Sequence, residues 1–137
     1  MPLISSKGMY GLSAMHELYK HQKDEPMQIR EISANANIPQ NYLEQLLSKL
    51  RKAELVTSIR GSKGGYMLSR NADEILVKDI LIALEDDIKI SDTKSNNPIL
   101  NIFLDEAKQK VEKIFDLSLK DLEKYESKYH EYLHYAI

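Results

Sequence analysis

The amino-acid sequence predicts a mainly α-helical protein that carries one small β-hairpin. Three observations predict this class: apolar residues recur at helical spacing over most of the chain, two short β-prone runs flank a glycine-rich segment, and 137 residues are enough for one compact unit. The apolar fraction of 42% and the charged fraction of 29% are ordinary for a globular protein. We therefore expect one domain with an appended helical arm.

The first three predicted helices follow one another closely. Apolar residues at helical spacing predict a first helix over residues 6–21, for which Ser5 and Ser6 are candidate N-caps. A second, short helix is predicted over residues 28–36. Pro39 is tolerated in a helix's first turn and opens the third helix. The second and third helices are thus joined through the three residues NIP, as a helix-turn-helix requires.

The third predicted helix has two different faces. Leucines at positions i, i+3, i+4 and i+7 form the stripe of a helix that packs on a core: Leu43, Leu46, Leu47 and Leu50. The opposite face carries side chains that donate and accept hydrogen bonds, as reading base edges in a major groove ~12 Å wide requires. These candidate base-reading residues are Asn41, Glu44, Gln45 and Ser48. Three flanking cations suit phosphates, which fix register without reading sequence: Lys49, Arg51 and Lys52.

A glycine-rich segment, RGSKGGYML at residues 60–68, follows the third helix. The β-prone runs VTSI and YMLS on either side predict a hairpin over residues 56–69. Glycines allow positive φ angles and close approach of backbone N–H groups to another surface, and Arg60 and Lys63 add charge. We interpret the segment as a wing that lies on DNA beside the third helix. Its expected contacts are Arg60, Gly61, Ser62, Lys63, Gly64, Gly65 and Tyr66.

The second half of the chain predicts one more core helix and two appended helices. The fourth helix begins at Val77, and the polar stretch 86–98 is the expected linker. An apolar seam then extends over about five helical turns and needs a partner. Its residues are Leu100, Phe103, Leu104, Ala107, Val111, Ile114 and Phe115. Ser118 and Asp121 have capping-box spacing and start the last helix.

This order of elements is that of a winged helix-turn-helix DNA-binding domain with a long C-terminal dimerisation helix. We assign residues 1–85 to the DNA-binding domain, 86–98 to the linker loop and 99–137 to the helical dimerisation region. The two halves of the chain also differ in charge. Residues 1–70 hold ten Lys/Arg against six Asp/Glu, a balance of +4, and residues 71–137 hold nine against fifteen, a balance of −6. This asymmetry predicts a basic face for a polyanion.

Composition argues against several other function classes. No stretch approaches the ~20 consecutive apolar residues that span a bilayer, so we expect no membrane insertion. The N-terminus lacks the pattern of a secretory signal, and we expect a cytoplasmic location. The chain contains no cysteine, which excludes disulfides and thiol chemistry and argues against an iron–sulfur cluster. His130 and His134 lie one helical turn apart, but zinc normally takes at least three protein ligands. We therefore expect no metal, no cofactor and, because no catalytic arrangement is evident, no enzyme.

Two alternatives remain open at this point. A glycine-rich turn between strands is often only a turn, without a binding role. A winged helix can also bind a protein through its third helix and wing, and the net charge of −2 gives that alternative some support because many DNA-binding proteins are more basic. Binding to duplex DNA should depend strongly on salt, whereas a protein interface should lack that dependence.

Four segments carry a resemblance over nearly the whole chain: SSKGMYGL, PQNYLEQLLSKLRKAELVTSIRGSKGGYML, VKDILIALE and LSLKDL. They resemble the Rrf-two (Rrf2) family of winged-helix regulators, which includes IscR, NsrR and CymR. The resemblance implies a dimeric transcription factor, usually a repressor, that binds a palindromic operator while the long fifth helix crosses its symmetry mate. By position, it implies recognition by Asn41, Tyr42, Glu44 and Gln45, wing contacts by Arg60, Gly64 and Gly65, and DNA-backbone contacts near Ser6, Lys7 and Tyr10.

The sequence departs from the family's best-known members in the loop before the fifth helix. Those members hold an iron–sulfur cluster through three cysteines there, and residues 86–98 contain none. The chain is therefore more similar to the cluster-free CymR branch, which is associated with cysteine and sulfur metabolism through the partner enzyme cysteine synthase. The last residues, Tyr135, Ala136 and Ile137, are a candidate docking tail, since a terminal carboxylate beside an apolar side chain suits capture by a backbone nest.

Overall fold

The computed structural model describes residues 2–21 and 25–136, with the Ala136 side chain left out. It is mainly α-helical with one two-stranded antiparallel sheet, and it confirms the predicted fold class. Its elements are α1 (Ser6–His21), α2 (Ile29–Ala36), α3 (Gln40–Lys52), β1 (Val56–Ile59), β2 (Gly65–Leu68), α4 (Val77–Glu85), α5 (Pro98–Ile114) and α6 (Glu123–Ala136), with 3₁₀ turns at Ala72–Glu74 and Lys120–Leu122.

Helix α1 packs against α2, α3 and α4. Side chains from all four helices and from the segments around the hairpin form one core, in which Met15, Ile32 and Leu47 are completely buried. Among the described residues, no helix is long and apolar enough to cross a bilayer.

The turn between α2 and α3 is held by its own backbone and one serine. Asn37 adopts the left-handed conformation with φ of 55°, which ends α2. Ile38 is buried, its N–H donates to the Ser33 carbonyl oxygen at 3.1 Å, and the Ser33 hydroxyl donates to the Ile38 carbonyl oxygen. These bonds set the angle at which α3 leaves the core, which a helix-turn-helix requires.

Strands β1 and β2 form the predicted hairpin, with Val56 opposite Leu68 and Ile59 opposite Gly65. One further pairing was not predicted from the sequence. Met27 forms an isolated antiparallel bridge with Tyr66, in which each N–H donates to the other residue's carbonyl oxygen at 2.9 Å. The hairpin is therefore anchored to the segment that enters α2.

The N-terminus of α1 is capped differently from the sequence expectation. One carboxylate oxygen of Glu85, at the end of α4, accepts hydrogen bonds from the Ser5 N–H at 2.9 Å, the Ser5 hydroxyl at 2.5 Å and the Gly8 N–H at 3.1 Å. Gly8 is buried under this carboxylate, and a Cβ there would lie 2.5 Å from it. A residue 77 positions away thus satisfies one of the orphan backbone donors in the first turn of α1, the Gly8 N–H.

The segment after α5 returns to the N-terminal body. Leu76 pairs with Ser118, the Leu119 N–H donates to the Ile75 carbonyl oxygen at 2.7 Å, and Leu119 is 0% exposed within the core. The predicted capping box is present, since the Ser118 N–H donates to Asp121 at 2.9 Å and the Asp121 N–H donates to the Ser118 hydroxyl at 3.0 Å. A 3₁₀ turn, rather than α-helix, follows it directly and leads into α6.

Candidate nucleic-acid interface

Helix α3 separates apolar and polar side chains between the core and solvent. Its four leucines are 0–2% exposed. Asn41, Glu44 and Gln45 are exposed on the other side, whereas Ser48 is half-buried. The helix therefore presents carboxylate and amide groups at its N-terminal half, where a recognition helix contacts base edges.

Tyr42 lies at the boundary between the two faces. It is half-buried, packs against the core, and its ring meets the Tyr10 ring edge-on, with centroids 5.7 Å apart and an interplanar angle of 83°. The sequence assigned Tyr42 to recognition and Tyr10 to the DNA backbone. The structure brings the two side chains into contact, so the start of α1, with Ser6 exposed and Lys7 half-buried, lies beside the start of α3.

The tip of the wing is exposed and cationic. Arg60, Ser62 and Lys63 are all exposed. Gly61 has φ of 111°, which L side chains rarely adopt. At Gly65 a Cβ would lie 2.3 Å from the Met27 carbonyl oxygen, so glycine is needed for the close approach that permits the Met27 to Tyr66 bridge.

A shallow cleft of about 600 Å³ lies between the wing and the helix-turn-helix. It brings Arg60 and Gly61 of the wing close to Gln40 at the start of α3. It also contains Gln28 and Arg30, joined by a hydrogen bond of 3.1 Å between the Arg30 guanidinium and the Gln28 side-chain oxygen. Gln28 and Arg30 were not among the contacts predicted from the sequence, although a cation on the outer side of a short helix before the recognition helix was an available signal.

The cations around this surface form no ion pairs with the residues that the structure describes. None of the following forms an ion pair with another residue of the part that the structure describes: Lys7, Arg30, Lys49, Arg51, Lys52, Arg60 and Lys63. Unpaired cations around a polar helix face suit the phosphates of a nucleic-acid backbone. A cation at the end of α3 also stabilises the helix dipole, so this placement serves stability as well.

Helix α5 has no buried residue, and its apolar seam is largely uncovered. Leu100, Phe103 and Ile114 are 48%, 62% and 68% exposed. The other predicted seam residues are half-buried: Leu104, Ala107, Val111 and Phe115. Of the predicted docking tail, Tyr135 is 85% exposed, only the backbone of Ala136 is described, and Ile137 lies outside the described residues.

A helix-turn-helix with an adjacent hairpin and an exposed, cation-flanked polar helix defines the class of winged-helix DNA-binding transcriptional regulators. Residues 4–125 match the Rrf2 family, described as an iron-dependent transcriptional regulator, and the chain belongs to that family. The resemblance seen in the sequence is thereby confirmed.

Relatives with assigned names agree with this membership. The chain is 48% identical over 82 residues to the transcriptional regulator CymR of Bacillus subtilis. This match covers 60% of this chain and 59% of CymR. It is 40% identical over 85 residues to IscR of Photorhabdus laumondii, covering 62% of this chain and 52% of IscR. The matched segments thus span little more than half the length of these relatives.

Solved structures are similar over more of the chain. The structure of CymR, called the global cysteine regulator of B. subtilis, superposes with a TM-score of 0.80 at 38% identity, covering 91% of this chain and 98% of that one. IscR of T. potens gives a TM-score of 0.75 at 35% identity, covering 88% and 85%.

The family description implies iron, and the donor set of this chain does not fit it. The linker between α4 and α5 has no cysteine, and within residues 2–21 and 25–136 no three His, Cys, Asp or Glu side chains are grouped so as to hold a metal ion. Iron–sulfur clusters are held chiefly by thiolates. The exposed residues at α3 and the wing are therefore the basis for a functional proposal.

Proposed function

We propose that this protein is a homodimeric, sequence-specific DNA-binding regulator that represses transcription from a palindromic operator. The observation that supports it most strongly is the burial pattern of α3, with four leucines 0–2% exposed and Asn41, Glu44 and Gln45 exposed opposite them. In this proposal α3 enters the major groove, Arg60 and Lys63 of the wing lie along the adjacent groove, and Lys7 contacts phosphates.

The homodimer part of the proposal is supported by α5. Its apolar seam is exposed in the single chain and long enough to cover a second copy of the same helix. A two-fold interface is self-complementary, and a dimer with two reading heads binds a site with matching two-fold symmetry. In this proposal, a dimer that occupies a promoter represses by blocking access of RNA polymerase.

Base reading is tested with Gln45→Ala and Glu44→Ala. A binding site is first selected from a random duplex library, and binding of wild-type and variants is measured on it and on single-base variants of it. Each lost base contact should reduce discrimination by ~1–3 kcal/mol. Glu131→Ala, an exposed carboxylate change on α6, is the matched control and should change nothing. If both α3 variants keep wild-type affinity and discrimination, α3 does not read bases.

Backbone contact by the wing is tested with Lys63→Ala. This change should weaken binding to all sequences alike and reduce the slope of affinity against salt by roughly one unit. Lys94→Ala, an exposed lysine in the linker, is its control. The same titration addresses the alternative of a protein-binding winged helix, because binding to DNA that does not depend on salt would favour that alternative.

The regulated pathway is proposed from the relatives. CymR of B. subtilis is called the global cysteine regulator, and the linker of this chain contains no cysteine. We propose genes of cysteine and sulfur metabolism as targets, and genome-wide mapping of bound sites tests this. The predicted docking of the tail on cysteine synthase is tested by deleting Ile137, and unchanged or absent affinity in the binding assay ends that hypothesis.

A further inference from the structure

A second cleft, of about 730 Å³, lies on another part of the body, between the wing strand and the start of α6. One wall is β2, with Tyr66, Met67 and Leu68. The other walls come from the end of α1, the 3₁₀ turn that follows the hairpin, and the turn that leads into α6. Its volume is within the range of about 300–1,000 Å³ that small-molecule sites occupy.

The cleft contains separated charges of both signs. Arg70 and Lys120 contribute cations, and Glu25 and Asp73 contribute carboxylates. All four side chains belong to exposed residues, and none of them forms an ion pair with another residue in the part that the structure describes. Opposite charges that line one cleft without pairing directly can each bind the opposite charge on a ligand between them.

One polar atom of the cleft also has no partner. His21 Nε2 is buried and makes no hydrogen bond with any described residue. Buried polar side-chain atoms are almost always hydrogen-bonded, and an exception calls for an explanation such as a bound water or ion. By contrast, Glu123, which also lines the cleft, already accepts a hydrogen bond from the Tyr19 hydroxyl, and this bond joins α1 to α6.

We propose that this cleft binds a small zwitterion, a molecule that carries both an ammonium and a carboxylate group, as free amino acids and short peptides do. The carboxylate is held by Arg70 and Lys120, and the ammonium by Glu25 and Asp73. A polyanion such as a nucleotide is disfavoured, because the three carboxylates that line the cleft, Glu25, Asp73 and Glu123, repel it. Leu18, Met67 and Leu68 supply an apolar wall for the rest of the molecule.

The test is calorimetric titration of the full chain, without DNA, with the twenty L-amino acids and a set of dipeptides and tripeptides. At least one should bind saturably and raise the melting temperature, since a ligand that binds only the folded state stabilises it. Comparing the affinities of free amino acids and of peptides shows which of these two kinds of zwitterion the cleft binds more tightly. Analogues of the best ligand that lack the ammonium or the carboxylate should each bind at least roughly tenfold more weakly, because charge-assisted hydrogen bonds are lost.

Variants locate the binding to this cleft. Arg70→Ala and Lys120→Ala should each weaken the best ligand roughly tenfold, and Lys94→Ala, a lysine of the exposed linker, should not. His21→Leu should weaken binding without lowering the stability of the free protein, because the histidine nitrogen has no partner to lose. The proposal is overturned if no zwitterion binds, if an analogue with one charge binds equally well, or if the two cleft variants retain wild-type affinity. Because DNA is absent from the assay, these outcomes do not depend on whether α3 reads bases.

Discussion

Helices α3 and α5 are both amphipathic, yet only α3 covers its apolar side within the chain. The leucines of α3 are 0–2% exposed, whereas Phe103 and Ile114 of α5 are 62% and 68% exposed. An apolar stripe indicates that a helix will be covered, but it does not indicate by which chain. The N-terminal body therefore buries the apolar stripe of α3 within one chain, whereas much of the apolar stripe of α5 is exposed in the single chain.

The cations around α3 and those around α5 also differ in whether they form ion pairs. Around α5, Lys108 lies 3.0 Å from Asp87, and Lys78 lies 3.8 Å from Asp116 and 4.0 Å from Glu112. Around α3, the cations that flank the polar face have no such partner among the described residues. Ion pairs thus form where α4, the linker and α5 meet, whereas the cations beside α3 form none within the described residues, and there we propose that they contact phosphates.

The largest expected effect is a loss of stability on truncating a leucine in either apolar stripe. Only in the α5 stripe should that loss depend on protein concentration. Leu47→Ala removes a fully buried side chain and should lower the free energy of unfolding by about 2–5 kcal/mol. Leu100→Ala in the α5 seam should cost less, and its cost should depend on protein concentration because the missing contact belongs to a second copy. Chemical denaturation at several concentrations measures both. Equal, concentration-independent losses would mean that α5 is covered by its own chain.

The next effect addresses the dimer directly. Phe103→Asp places a charge in the exposed apolar seam and should weaken association by about 2 kcal/mol or more, as loss of an interface hot spot does. Sedimentation velocity should show monomers with an unchanged helical circular dichroism spectrum. Glu106→Ala, on the same helix, is the control that should leave the oligomer intact. A Phe103→Asp variant that sediments like the wild type would place the interface elsewhere.

A smaller loss of stability is expected at Gly65, where the wing is joined to the N-terminal body through the Met27 to Tyr66 bridge. Gly65→Ala forces a Cβ to within 2.3 Å of the Met27 carbonyl oxygen and should cost about 1–3 kcal/mol of stability. At Gly61 the backbone is strained for other residues, but a Cβ would meet nothing within 4 Å, so Gly61→Ala should cost less. Thermal denaturation of the two variants measures the difference, and a larger loss at Gly61 would show that conformation, not close approach, limits the wing.

The smallest effect concerns the ion pairs around α5. The hydrogen bond from Lys108, together with the Ile88 N–H, holds the pKa of Asp87 below its usual value. A lowered folded pKa means that the contribution to stability is present above the ordinary aspartate pKa and is lost as pH falls through the lowered value. Lys108→Ala should move the Asp87 pKa back toward the ordinary range, as measured by NMR titration of the carboxyl carbon. An unchanged pKa would show that the exposed pair does not persist in solution.

Much of the fold was predictable because its signals are local. The bounds of α1 agree with the prediction, and α2 begins at Ile29, one residue after the expected start. The capping box at Ser118 and Asp121 was also readable from spacing alone. Pairings between distant residues were not predictable: neither Met27 with Tyr66 nor Glu85 with Ser5 leaves a periodic pattern in the sequence.

The candidate site was predictable to a similar degree. The polar face of α3 follows from helical periodicity, so Glu44 and Gln45 could be named before the structure was known. The sequence shows Arg30 as a cation before the recognition helix, but its approach to the wing could not be predicted, because that depends on how the hairpin packs against α2. The half-burial of Tyr42 depends likewise on its contact with Tyr10, 32 positions earlier in the numbering.

The sequence by itself determined the order of elements, the apolar stripes of α3 and α5, the glycine-rich wing and the absence of cysteine ligands, because each is written in neighbouring residues. Only the tertiary structure decided which stripe is buried, where the C-terminal segment rejoins the core through Leu119, and how residues from five elements enclose the charged cleft. The physical reason is that burial and pairing are properties of surfaces brought together by the fold, and the chain does not encode those contacts in any short segment.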